Sequence, residues 1–325
     1  MPAGIISRQL IAAFSGLWLG CSQLPAEGTL PPRPADAAMN QDAGRGGLLL
    51  VKFRLADGEA LTMVLDTGAP GMLLDKSLVP KLGKKLDTMP VRSFDTRLEA
   101  GVYAAPKVYL GDVQLVTGYK ALAVDFPKLS PYLQPPIKGI LGMDCLRHYC
   151  LQLDFQSGTI LFPDPARLNT ALLGMSYPLK FITNSEHAGV PVIQHAGLLG
   201  GPARKVVVDI GNNSDGMAPG RAIRQNARGS YSGGLIRRTK HFLAVEGWVN
   251  HPVGSLKCVW DGNTYTDVAV GRGPRDYPNW IGLRFLARHL VTFDFPNATM
   301  YLKQTSSGPL PESVNTNSAA TTQKP

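Results

Sequence analysis

Hydrophobic and polar positions alternate along this chain in short runs, and the runs are closed by turn residues rather than carried on at helical spacing. Leu48 to Leu55 breaks at Asp57-Gly58 and resumes at Leu61 to Leu65. Lys107 to Leu110 breaks at Gly111-Asp112 and resumes at Gln114 to Val116. An apolar run, an Asp-Gly or Gly-Asp pair and a second run form the pattern of a β-hairpin. Helical periodicity is confined to short stretches after Gly142 and after Gly282. The pattern therefore predicts a mostly β protein built from many short strands.

The two halves of the chain repeat each other. Ile140-Leu141-Gly142 runs on through Leu146 to Asp154-Phe155, and Trp280-Ile281-Gly282 runs on through Leu286 to Asp294-Phe295. Each ends in a turn and another strand-like run, Thr159 to Phe162 and Thr299 to Leu302. Upstream, each half carries a hydrophobic strand running into Asp-x-Gly: Met63-Val64-Leu65-Asp66-Thr67-Gly68-Ala69, and Val206-Val207-Val208-Asp209-Ile210-Gly211-Asn212. The later Gly follows the Asp by 76 residues in the first half and by 73 in the second. Two landmarks at matched spacing mark a duplicated unit, with lobes at residues 48–165 and 166–303. Asp154 and Asp294, at strand ends, read as structural turn-formers.

The strand that runs into Asp66-Thr67-Gly68-Ala69, followed by Ile140-Leu141-Gly142, resembles the pepsin and retropepsin superfamily of aspartic proteases over roughly residues 48–303. The resemblance implies two similar β-barrel-like lobes with a cleft between them and a short helix after each apolar-apolar-Gly. It also implies that Asp66 and Asp209 are the catalytic carboxylates of a peptide-bond hydrolase that needs no cofactor or metal. Supporting positions follow from the same motifs: Thr67, Gly68 and Ala69 in the first loop, Ile210, Gly211 and Asn212 in the second, and Gly142 and Gly282 on the strands threading beside them. Glycine permits the tight turn and the close backbone approach these positions need. In the family the Thr hydroxyl bonds across to the opposite loop, and two carboxylates held so close share one proton.

The second motif departs from this pattern. Ile210 stands where the family has Thr or Ser, and Asn212 where Ala, Ser or Thr is expected. An active peptidase and a catalytically degenerate peptide-binding protein both remain open on that ground. A homodimer pairing two Asp66 residues is a third reading, made unnecessary by the matched lobe in the same chain, so a monomer is expected. The family covers its site with a hairpin flap. The candidates are Phe94 to Tyr103, with Tyr103 as its aromatic, and Gly229 to Leu235, with Tyr231.

Composition narrows the setting. The chain has 325 residues, 44% hydrophobic and 18% charged, which suits a packed globular protein. Its formal net charge is +9, partly concentrated between Arg204 and Lys240, without the aromatic interleaving or zinc-finger spacing of a nucleic-acid binder. The partner expected is a peptide or protein substrate, with no nucleic acid. Leu10 to Gly20 is an apolar stretch of signal-peptide length after Arg8, too short to span a bilayer. Leu19-Gly20-Cys21 at its end resembles a bacterial lipobox, with Cys21 as the lipidation site. Residues 1–21 are thus expected to export the protein to the bacterial cell envelope, with a lipid anchor in the membrane. The Pro-, Ala- and Gly-rich residues 22–47 read as a flexible tether and residues 304–325 as a disordered tail. Cys145 and Cys150 read as core thiols, with a bond from either to Cys258 left open, and the six His residues show no zinc-protease pattern.

Overall fold

The computed structural model describes residues 30–311, apart from 94–95, 130–132, 134–135, 183–188, 197–203, 220–257, 261–262, 269 and 274–278. Twenty-two strands fall into a nine-stranded sheet, an eleven-stranded sheet and a two-stranded ribbon among these residues. The hairpins expected from the alternation are present: Leu50–Leu55 with Ala60–Leu65, and Val108–Leu110 with Val113–Gln114. Gly58 and Gly111 turn them at φ of 87° and 58°, in the left-handed region that glycine enters without strain.

The repeat seen in sequence is a repeat of topology. In the first lobe, Ala60–Leu65 pairs in parallel with Ile137–Leu141, which pairs antiparallel with Leu73–Asp75, which pairs in parallel with Lys120–Val124. The second lobe has the same succession: Arg204–Asp209, then Asn279–Gly282, then Gly216–Pro219, then Val270–Gly273. A parallel partner far along the chain is placed beside the Asp-bearing strand in each lobe. Leu65 therefore stands opposite Leu141, and Val208 opposite Ile281. A four-residue helix follows each glycine, Met143–Leu146 and Leu283–Leu286.

The expected two-lobed β architecture is present, without a closed barrel among the described residues. The strand that ends the first repeat leaves the nine-stranded sheet and joins the eleven-stranded sheet beside its counterpart. Cys150–Asp154 and His289–Asp294 run antiparallel, with Gln152 opposite Thr292 and their side chains hydrogen-bonded at 2.8 Å. Thr159–Leu161 and Thr299–Gln304 flank this pair and make it a shared floor. Leu65, Leu141, Val208, Ile281, Leu153 and Val291 all belong to one continuous buried cluster, so the core also crosses between the lobes. Asp154 and Asp294 close the turns of the floor strands as expected, Asp154 Oδ1 accepting from Gln156 N and Ser157 N and Asp294 Oδ1 from Asn297 N. Cys145 and Cys150 are buried free thiols. The side chain of Cys258 lies outside the described residues.

Two boundaries need correction. Residues 37–47 are not a tether. Ala37–Ala38 pairs with Thr159–Ile160, Ala43 is fully buried, and the Asn40 amide holds both the Leu48 carbonyl and the Leu50 N–H. Residues 304–311 are not wholly a tail either. The Ser307 carbonyl accepts from Thr266 N at 2.8 Å and from the Arg288 guanidinium at 3.2 Å. Composition misled because such short pairings need no alternating pattern of their own.

Candidate active site

Each Asp-x-Gly sits where a strand ends beside its parallel partner. Asp66 follows Leu65, and its N–H bonds the Leu141 carbonyl at 3.1 Å. Asp209 ends its strand opposite Gly282. Beyond each Asp the chain turns and is pinned from the helix side: Met143 N donates to Ala69 O at 2.9 Å, and Leu283 N to Asn212 O at 2.6 Å. Gly142 and Gly282 make this possible. A Cβ at Gly142 would lie 2.7 Å from the Ala69 carbonyl oxygen, and one at Gly282 would lie 2.7 Å from that of Asn212. Those distances are closer than any side chain tolerates, so the sequence motif is a record of backbone contact.

The two turns meet. A Cβ on Gly68 would lie 2.7 Å from the Asp209 carboxyl, and one on Gly211 would collide with the Asp66 carboxyl. Each carboxyl thus lies over the glycine of the opposite loop, and the two carboxyls are hydrogen-bonded to each other. Thr67 ties the loops from below, donating its hydroxyl to Val208 O at 2.8 Å and accepting from Ile210 N at 3.0 Å. Ala69 is buried beside this contact. The sequence-derived dyad and its supports are therefore brought together at one point.

The carboxyls differ in their surroundings. Asp66 is partly exposed and accepts two backbone N–H groups on Oδ1, from Gly68 at 2.7 Å and Ala69 at 3.1 Å. Asp209 is buried and accepts Gly211 N at 2.9 Å. Burial raises the pKa of Asp66, an effect its N–H donors oppose. Burial and then the charge of Asp66 hold Asp209 well above the usual carboxylate range. A pair so arranged shares one proton and titrates as a unit.

The Asn212 side-chain oxygen accepts from Ser214 N at 3.0 Å and Ser214 Oγ at 2.7 Å within its own loop. Tyr103 is not a flap aromatic: it lies in the strand Thr96–Ala104 opposite Ala121, and its side chain is buried in the core. The hairpin that contains it, Asp87–Ser93 with Thr96–Ala104, does exist at the edge of the nine-stranded sheet. Tyr231 and the second flap candidate lie outside the described residues. One pair of interactions was missed. Asp144 and the Asp215–Arg284–Arg288 cluster brace the two loops from corresponding positions, a correspondence visible only by aligning the halves residue by residue. Among the described residues no group of His, Cys, Asp or Glu is placed to hold a metal ion.

Residues 51–145 match a protein-family model described as aspartyl protease. No curated protein matches the sequence. Among solved structures, the chain is similar to the crystal structure of basic 7S globulin from soybean, a protein of pepsin-like aspartic protease fold. That match has a TM-score of 0.54 and 12% identity, covering 85% of this chain and 96% of the other. The first lobe thus matches the aspartyl protease model, and the two-lobed, mostly β fold of the chain is like that of a pepsin-like aspartic protease-fold protein.

Proposed function

We propose that this protein is an aspartic endopeptidase that hydrolyses peptide bonds with a water molecule held between Asp66 and Asp209. The observation that carries the reading is the hydrogen-bonded carboxyl pair, set where two loops from different lobes each leave room for the other's acid. Ionised Asp66 takes a proton from the water as its oxygen attacks the scissile carbonyl carbon. Asp209 gives its proton to the carbonyl oxygen, and a neutral tetrahedral diol results. Its collapse returns a hydroxyl proton to Asp209, passes the Asp66 proton to the leaving nitrogen, and breaks the C–N bond. Because Asp209 of the same chain occupies the second acid's place, a monomer suffices.

A binding protein without turnover is the second reading, favoured by one observation: Ile210 offers no hydroxyl to the first loop. The apolar stretch ending at Cys21 supports export to the cell envelope, with Cys21 as the site of a lipid anchor. Radiolabelled palmitate incorporation that disappears in Cys21→Ser tests that anchor.

The test of catalysis is peptide-library cleavage by protein beginning at or before residue 30, across pH 3.5 to 7.5, beside Asp66→Asn and Asp209→Asn. Cleavage lost in both variants is expected. Activity retained in Asp209→Asn would place the site between two chains. A folded parent that binds peptides and cuts none would establish the second reading.

A further inference from the structure

The same structural task is performed in the two lobes with opposite polarity. Six residues after each catalytic Asp stands a loop residue, Met72 or Asp215, and two residues after each later glycine stands a helix residue, Asp144 or Arg284. In the second lobe the acid is on the loop. Asp215 accepts from Arg284 at 2.8 Å and from fully buried Arg288 at 3.0 Å, forming ion pairs with both. In the first lobe the acid is on the helix. Asp144 Oδ2 accepts from Met72 N at 3.2 Å and Gly118 N at 3.3 Å, and its own N–H donates to Pro70 O at 3.1 Å. Asp144 thereby brackets Pro70-Gly71-Met72, the segment by which the chain leaves the Asp66 loop.

The first-lobe brace lacks the cation that the second has. Asp144 Oδ1 is buried with no hydrogen-bond partner among the described residues. A Cβ at Gly118 would lie 2.7 Å from Oδ2, so that side is closed. The titratable side chains on the elements around it are Cys145, Arg147, His148 and Tyr149 on its own turn and beyond, Tyr119 and Lys120 beside Gly118, and Asp66 at the head of the loop. Burial and the Asp144 charge raise the Cys145 thiol well above its usual range. The His148 ring bonds the Asp144 backbone, and its pKa is lowered by burial and by Arg147. Neither puts a neutralising charge on Oδ1.

We propose that Asp144 is a proton-controlled positioning residue for the first catalytic loop: its carboxylate grips Met72 and Gly118, and its protonated form lets that grip slacken. Burial pushes the Asp144 carboxyl up to about 6, so the change falls inside the pH window set for the cleavage test. A carboxylate accepts N–H bonds more strongly than a carboxylic acid does. The loop exit is therefore held hardest above that value. This inference rests on the peptidase reading for its effect on turnover but not for the brace itself.

The experiment is a pH titration of the isotope-labelled protein by NMR from pH 4 to 8, beside Asp144→Asn and His148→Gln. In the parent, the amide protons of Met72 and Gly118 should shift downfield with the midpoint of the Asp144 carboxyl carbon. Gly68 and Ala69, which bond Asp66, should show that midpoint in addition to the dyad's own. Asp144→Asn should abolish the shared midpoint and leave the dyad's, and His148→Gln should leave both. In kinetics, the same ionisation should appear in kcat for the parent and be absent from Asp144→Asn, with KM changed by less than about twofold. Amide midpoints that differ from the carboxyl's overturn the proposal, and the parent spectra alone decide this should Asp144→Asn not fold. A transition that persists in Asp144→Asn, or vanishes in His148→Gln, also overturns it. Coincident midpoints in a protein that cuts no peptide would reject the peptidase reading while keeping the brace.

Discussion

Thr67 bonds across to the second loop twice, to Val208 O and from Ile210 N, while the Ile210 side chain offers no polar group in return. The cross-lobe tie is thus held by one hydroxyl where two-fold symmetry would supply two. Ile210 is fully buried, so the missing hydroxyl is replaced by packing rather than by water.

Thr67→Val should therefore be costly. It leaves a buried carbonyl and a buried N–H without their partner, each at about 1–3 kcal/mol. A loss of roughly 2–6 kcal/mol in denaturant unfolding is expected, with turnover falling further because dyad alignment is lost as well. Ile210→Thr tests the converse. It removes apolar volume and restores a donor, so stability should change by about 1 kcal/mol while kcat rises. A variant no faster than the parent would show that one hydroxyl already aligns the dyad.

Gly68→Ala and Gly211→Ala should separate activity from folding. Neither glycine has positive φ, so the cost is one of space alone. A methyl at Gly68 would occupy the position of the Asp209 carboxyl, and one at Gly211 that of Asp66. The carboxyls must move, and displacement on the order of 1 Å costs about 10²-fold in rate. Gly58→Ala is the control: its Cβ would meet open space, but φ is 87°. It should lose about 1 kcal/mol of stability and none of the activity. The readouts are thermal melts beside peptide cleavage.

The N-terminal segment yields a third prediction. Besides the strand Ala37–Ala38, Met39 N bonds Gly158 O at 2.9 Å and Gly46 O accepts from the Asn213 amide at 2.7 Å. Asn213 lies four residues beyond Asp209, so the segment reaches the second Asp-x-Gly loop. Protein beginning at residue 48 should lose these bonds and the buried Ala43. A deficit of several kcal/mol against protein beginning at residue 30 is expected, at about 1 kcal/mol per hydrogen bond. Equal unfolding midpoints would mean that the segment merely lies on the surface.

What could be read from sequence was whatever repeats. Asp66, Asp209, Gly142 and Gly282 were legible because backbone crowding admits few residue types, and the duplication showed the same restriction twice. The duplication itself followed from matched spacing. The shared floor did not, because an antiparallel pairing of Cys150–Asp154 with His289–Asp294 joins segments whose alternation says only that they are strands. Tyr103 was misplaced for a related reason. A single aromatic in a Gly-containing hairpin suits a lid or a core equally, and the pairing to Ala121 decides it. Asp144 escaped notice because an acid in the first helical turn is ordinary, and what sets it apart is the unpartnered oxygen.

His289 sets the last expectation. It is buried in the floor, with Nε2 at 2.7 Å from the Tyr265 hydroxyl and Nδ1 at 3.3 Å from Leu286 O. Burial lowers its pKa from 6.5 to about 4. The folded state therefore resists protonation that the unfolded state accepts. Above pH 6.5 the ring is neutral in both states and contributes nothing to the pH dependence. As pH falls from 6.5 to 4, stability is lost, and the loss levels off below 4 at about 3 kcal/mol. Other acids in the chain titrate in the same window, so the parent's curve alone cannot isolate this residue. The difference between parent and His289→Gln can, because the other titrations cancel in it. On going from pH 7.5 to 3.5, the parent should lose about 3 kcal/mol relative to the variant in urea unfolding. Parallel curves would mean that the ring charges without penalty. An acid pH optimum for cleavage would then be free of the stability loss that a buried neutral histidine imposes.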